Sequence, residues 1–332
     1  MTLYPLFFHP VFKERIWGGR RLAELYKKPL PSGKKIGESW EIVDRAEDNS
    51  VVANGPLAGG TLESIVRRYR DELLGDGTGP VERFPLLVKI LDAREKLSLQ
   101  VHPPASKAEA LGGEPKTEMW YVADAEPDAD LFVGLKRGVT RDEFEAGLRE
   151  GRVQERFHRI LVKKGDAMFL PSGRVHALGG GNVIFEAQQN SDTTYRVFDW
   201  NRLEANGKPR ELHIEKSLES IAFDDFEPEL LPKTVHQGAD GRRVRPLVND
   251  PLFRAEVIEL EPGQESVKPA GGWRIYGVAE GAARVESSAG VWGAPAGTFC
   301  LVPAAAQDVR IQAVAPSKIL AIAPGGTGES PA

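Results

Sequence analysis

The chain has 332 residues, a formal net charge of -5 and one cysteine. That length favours two domains over a single core. Scattered Lys and Arg under a net negative charge argue against nucleic acid or an anionic membrane as partner. A lone Cys300 rules out an internal disulfide and fits a reducing, cytoplasmic setting.

The opening "MTLYPLFFHPVF" is apolar but has no basic leading region and no small-residue cleavage site, so it does not read as a signal peptide. No apolar run approaches the ~20 residues that span a bilayer. From residue 61, "TLESIVRRYRDELLG" places Leu62, Ile65, Val66, Tyr69 and Leu73 on one helical face. "LSLQVHPP" (97–104) alternates as a strand does: Leu97, Leu99 and Val101 on one face, Ser98, Gln100 and His102 on the other. "HPPASKAEALGGEPK" (102–116) then reads as a surface excursion with a short helical stretch.

Short apolar runs bounded by turns follow: 119–123, 130–134, 167–171, 182–188, 253–261, 273–278, 298–303 and 318–324. Many short strands at this spacing predict a mainly β protein, a sandwich or barrel with few helices. Thr140 and Glu143 stand at capping-box spacing, and a further helix is expected near 213–223. The polar stretch from about 224 to 250 is the expected linker. "GDAMFLPSGRVH" from Gly165 is echoed by "GTFCLVPAAAQD" from Gly297, with Asp308 where the first copy has His176. The echo predicts a duplicated β unit whose second copy lacks the histidine.

The pattern Gly165, Pro171, Gly173, His176 resembles the second signature of the cupin barrel. "LSLQVHPP", "KTEMWYV", "PSGRVHALGGG" and "EAQQNSDTTYRVFDW" together resemble the type I phosphomannose isomerases in their short bacterial form. "HPVFKERIWGG" and "IGESWEIVDR" extend the resemblance toward the start of the chain. It implies two cupin-type, jelly-roll-like barrels: a metal-binding catalytic domain over 1–235 and a degenerate barrel over 236–332. It also implies one Zn²⁺ per chain, held by His102, Glu118 and His176, with Gln100 as a fourth ligand or as a partner of one.

The implied activity is interconversion of mannose 6-phosphate and fructose 6-phosphate through an enediol or enediolate. Arg196 would be catalytic and Lys116 would bind substrate or move a proton. Glu186 is the candidate base, and Ser98 and Arg202 would hold the sugar phosphate. Another metal-dependent cupin enzyme, such as an oxygenase, or a non-catalytic sugar-binding protein remain alternatives. Oligomeric state stays open.

Overall fold

The computed structural model describes residues 3–75, 81–203, 207–238 and 241–326. All eight apolar runs form strands, and antiparallel pairing builds sheets of eight, six, five and four strands. The protein is mainly β, as its turn-punctuated sequence predicts. No helix among the described residues is long and apolar enough to cross a membrane.

The sheets stack because their strands alternate. Along Asn182–Gln189, Val183, Phe185 and Ala187 enter the large core shared with the eight-stranded sheet. Ile184 instead joins the core formed with Leu131, Val133 and Leu178 of the five-stranded sheet, so Glu186 and Gln188 turn the same way. The six-stranded sheet is therefore buried on both faces, with the Phe185 ring centred 4.9 Å from that of Phe299 and tilted against it on one of them. Burying one phenylalanine contributes roughly 1.5–3 kcal/mol. Beyond the eight-stranded sheet, a further core of Tyr276, Val278, Val285 and Ile311 seats the four-stranded one.

The first strand, Leu6–His9, does not stay with the residues that follow it. It pairs with Phe299–Val302 in the eight-stranded sheet, Leu6 opposite Leu301. The start of the chain thus joins the sheet built mostly by its end.

Residues 61–75 form two short helices, Leu62–Arg68 and Arg70–Leu74, where the periodicity predicts one. The break falls at Tyr69, whose ψ of 38° leaves helical geometry. Thr61 caps the first by accepting from the Ser64 amide at 3.2 Å. The Thr140–Glu143 capping box is present on Arg141–Arg149, and the later helix covers Ile214–Ser220. The echo also has a structural counterpart. Gly165 and Gly297 adopt φ of 86° and 83°, and each closes the turn before its strand with an amide bonded to a valine carbonyl, Val122 or Val278. Asp308 accepts from the Ser288 amide at 2.6 Å and does not reach inward as His176 does.

One buried carboxylate makes stability pH-dependent. Asp92 accepts the Arg21 amide at 2.8 Å, while its other oxygen is buried without a partner. Burial pushes its pKa up from 3.8 to about 6. The folded state then holds this proton more tightly than the unfolded chain does. Its contribution is fully present below pH ~4 and is lost as pH rises through about 6. At 1.36 kcal/mol per pH unit, the loss is ~3 kcal/mol. Denaturant unfolding of Asp92→Asn at pH 4 and pH 7 should show that difference removed. A variant with an unchanged pH dependence would assign it elsewhere.

Candidate active site

The metal-competent cluster forms where the five-stranded and six-stranded sheets face each other. Gln100 sits mid-sheet in the five-stranded layer, opposite His176 on one neighbour and Arg196 on the other. Side chains at directly opposed positions share a face, so these three form a polar row. Glu118 opens a strand of the six-stranded sheet, opposite Gln188, and reaches the row from across the interior. His102 follows the end of Leu99–Val101 with the same parity as Gln100.

Ligand atoms of His102, Glu118 and His176 lie within 4.8 Å of one another, all three residues buried. Glu118 Oε1 is 3.2 Å from His176 Nε2, and Oε2 is 3.6 Å from His102 Nε2. Both imidazoles anchor the far side of the ring: His102 Nδ1 donates to the Thr193 carbonyl at 2.8 Å, His176 Nδ1 to the Arg174 carbonyl at 2.9 Å. That tautomer leaves an Nε2 lone pair on each ring directed at the carboxylate. Burial first, then the Lys116 ammonium, hold the His102 imidazole well below its usual pKa and therefore neutral.

Neither oxygen of Glu118 accepts a hydrogen bond of good geometry, although Lys116 Nζ lies 2.7 Å from Oε2. Burial alone would raise the Glu118 carboxyl, but the adjacent Lys116 ammonium outweighs it and holds it well below its ordinary value. A buried carboxylate with open lone pairs facing two imidazole nitrogens is a donor set that fits a divalent cation. The Gln100 amide nitrogen lies 3.3 Å from His176 Nε2, and turning that amide over exchanges it for the oxygen.

A cavity of about 250 Å³ opens above the cluster. Ser98, Gln100, Lys116, Glu186 and Arg196 line it, so most of the site residues read from the sequence meet in one place. Arg202 is not among its lining. Its guanidinium is engaged by Asp199 and by the Lys96 carbonyl, 2.6 Å away. Arg210, which sequence reasoning passed over, lines the cavity and shares Asp199 with Arg202. A larger, more open groove of about 790 Å³ runs past Glu72, Gly272 and Ala304 and carries none of these groups.

Apart from Glu186, the opposite wall was also missed. The six-stranded sheet sets Trp40, Lys89, Glu186 and Trp120 side by side across four strands. Lys89 Nζ lies 3.5 Å from Glu186 Oε1 and 3.7 Å from Glu38 Oε2, and Arg15 Nε donates to Glu38 at 2.7 Å. Burial would raise the Glu38 carboxyl, but Lys89 and Arg15 bring it down to about 2. Glu186 goes the other way: burial and the nearby Glu118 charge raise its pKa against Lys116 and Lys89. Trp120 Nε1 donates to Glu186 Oε2 at 2.8 Å and fixes the carboxylate. A lysine inside the apolar run "LLVKIL" was the available signal.

The excursion 102–116 is held at both ends. Glu114 receives Arg45 and Arg83 at 2.8 Å each, and its amide donates to Thr193 Oγ1 at 2.9 Å. Thr193 thus ties this segment to the same residue that orients His102.

The antiparallel sheets and the buried His–Glu–His cluster at their interface define a cupin-type protein with a site able to hold a metal ion. Residues 6–136 match the family model for the phosphomannose isomerase type I catalytic domain. The mannose-6-phosphate isomerase ManA of Bacillus subtilis is 38% identical over 321 residues, which cover 95% of this chain and 98% of that protein. The probable mannose-6-phosphate isomerase GmuF of the same organism is 43% identical over 237 residues, 71% of this chain and 74% of GmuF. The crystal structure of the B. subtilis mannose 6-phosphate isomerase superposes with a TM-score of 0.86 at 31% identity, covering 96% of this chain and 99% of that one. The chain belongs to the type I phosphomannose isomerase family, and is by that membership an aldose–ketose isomerase.

Proposed function

We propose that this chain interconverts mannose 6-phosphate and fructose 6-phosphate, with one Zn²⁺ held by His102, Glu118, His176 and the Gln100 amide oxygen. The observation that carries the reading is the pair of buried imidazoles converging on the Glu118 carboxylate beneath a cavity walled by Lys116, Glu186 and Arg196. Two nitrogens and one carboxylate, with the amide oxygen as a weaker fourth, suit zinc; three protein ligands would leave the fourth position for substrate, and four would require a fifth. When bound, the metal supplies Lewis-acid stabilisation of negative charge on the sugar oxygens.

The protein groups divide the remaining work. The reaction moves a proton from C2 to C1, or back, and another between the two oxygens. Glu186 takes and returns the carbon proton through Oε1, since Oε2 is occupied by Trp120. Its raised pKa makes it a better base than an exposed glutamate. Arg196, whose Nη1 donates to the Glu211 carbonyl at 2.7 Å, presents its planar fork to oxygen charge that grows in the enediolate. Lys116 shares the cluster's carboxylate and meets the substrate hydroxyls. Ser98 and Arg210 line the cavity for the phosphate, with Arg202 bracing Arg210 through Asp199. The part of the chain beyond residue 235 takes no metal of its own, and its described residues pack against the catalytic part.

The test is a coupled assay for fructose 6-phosphate formed from mannose 6-phosphate, with oxygen uptake measured in parallel. Sustained product formation without oxygen consumption is expected. Binding of the sugar phosphate without turnover, or oxygen consumption, would contradict the proposal.

A further inference from the structure

A second hollow, of about 220 Å³, lies in the C-terminal half on the eight-stranded sheet. Its lining comes from four adjacent strands: Arg243–Asn249, Phe253–Leu260, Ser317–Pro324 and Arg274–Glu280. Arg254 stands opposite Ala323 and Glu256 opposite Ala321, while on the other side Tyr276 stands opposite Ala321 and Ile275 opposite Ile322. The strand carrying the two alanines therefore runs between two strands that each carry an arginine. Neighbouring strands are ~4.8 Å apart, and alanine side chains are too short to fill the space between the guanidinium arms. Pro246 and Val248 add an apolar wall.

The charges in this hollow do not close among themselves. Elsewhere in this part of the chain Arg243, Arg310 and Lys318 sit 2.9, 3.5 and 3.2 Å from carboxylates. Arg254 and Arg274 have no such ion pair among the described residues. Arg254 Nε donates only to the Pro324 carbonyl at 3.1 Å, and Arg274 Nη1 to the Trp273 carbonyl at 3.1 Å. Burial disfavours the Arg274 charge, and Arg254 adds to this against the opposing pull of Tyr276 and Glu256; an incoming anion relieves the cost. Two guanidinium forks facing one hollow match the oxygens of a phosphate. Glu256, one row deeper, repels a bare anion but accepts from a hydroxyl.

We propose that Arg254 and Arg274 bind the phosphate of a small phosphorylated sugar or polyol, with Glu256 accepting a hydrogen bond from one of its hydroxyls. The size is right for such a ligand: 220 Å³ against 250 Å³ for the cavity assigned above to a hexose phosphate, a comparison that rests on that assignment.

Sorbitol 6-phosphate, which has no carbonyl to isomerise, is the probe. Isothermal titration of the full chain should show two binding events, and Arg254→Gln should weaken one by at least tenfold. Arg254 is exposed, so this change spares the core; Arg274→Lys, which keeps the charge and loses the fork, is the second variant and should act likewise. The kcat and KM for mannose 6-phosphate should stay unchanged in both. Glu256→Gln removes the repulsion and replaces a charged acceptor by a weaker neutral one, so it should weaken sorbitol 6-phosphate while leaving inorganic phosphate as tight or tighter. A single event in the unaltered chain, or a second event indifferent to both arginine substitutions, overturns the site. Equal loss of the two ligands in Glu256→Gln overturns the hydroxyl contact. If turnover is absent but the Arg254-dependent event remains, the catalytic assignment fails and this one stands.

Discussion

Replacing His102 by alanine should strip the chain of metal and of isomerase activity together. Removing groups that merely orient a metal ligand already lowers metal affinity by about 10–100-fold; removing a ligand should exceed that. Zinc in the purified variant should fall below about a tenth of an equivalent. Both imidazoles are oriented by backbone carbonyls, those of Thr193 and Arg174, so no other side chain restores the geometry. Glu118→Gln should be worse for stability, because Lys116 keeps its charge while losing a carboxylate 2.7 Å away. Breaking a buried pair costs about 3–5 kcal/mol. Adding Lys116→Met to Glu118→Gln should recover much of that stability without recovering zinc, which separates folding from metal binding. Retention of a full zinc equivalent by His102→Ala would remove His102 from the site.

The second large effect is expected at Arg196. Losing a preorganised donor to developing negative charge lowers turnover by about 10²–10³-fold. Arg196→Ala should therefore depress kcat far more than it raises KM. Arg196→Lys should rescue little, since a mobile ammonium replaces the planar fork. The two neighbouring arginines should behave differently from Arg196 and from each other. Arg210 lines the cavity, so Arg210→Ala should chiefly raise KM; Arg202→Ala should raise it less, acting only through Asp199. Near-normal turnover of Arg196→Ala at saturating substrate would reduce Arg196 to a binding residue.

What could be read from the sequence was whatever local spacing determines. Ser98, Gln100 and His102 share a face by parity, and Thr140 with Glu143 announce a cap; both are present. Glu118 was harder. It belongs to the sheet facing His176 and not to a neighbouring strand, and no local pattern records which sheet a strand will join. Arg15, Glu38 and Lys89 escaped for the same reason: their chain of ion pairs to Glu186 exists only once four strands, spread over about 170 residues of sequence, come together. The pairing of Leu6–His9 with Phe299–Val302 is the extreme case. The short apolar run "LFFH" fits any partly buried strand and names no partner. The break at Tyr69 was invisible because the apolar periodicity continues through it.

The central claim is that the His102–Glu118–His176 cluster holds the metal on which sugar-phosphate isomerisation depends. The most direct measurement strips the chain with a chelator, then titrates zinc back while following fructose 6-phosphate formed from mannose 6-phosphate. Activity should be absent after stripping, rise linearly with added zinc and reach its plateau at one equivalent per chain. Full activity in the stripped protein, or a plateau at two equivalents, would contradict the account.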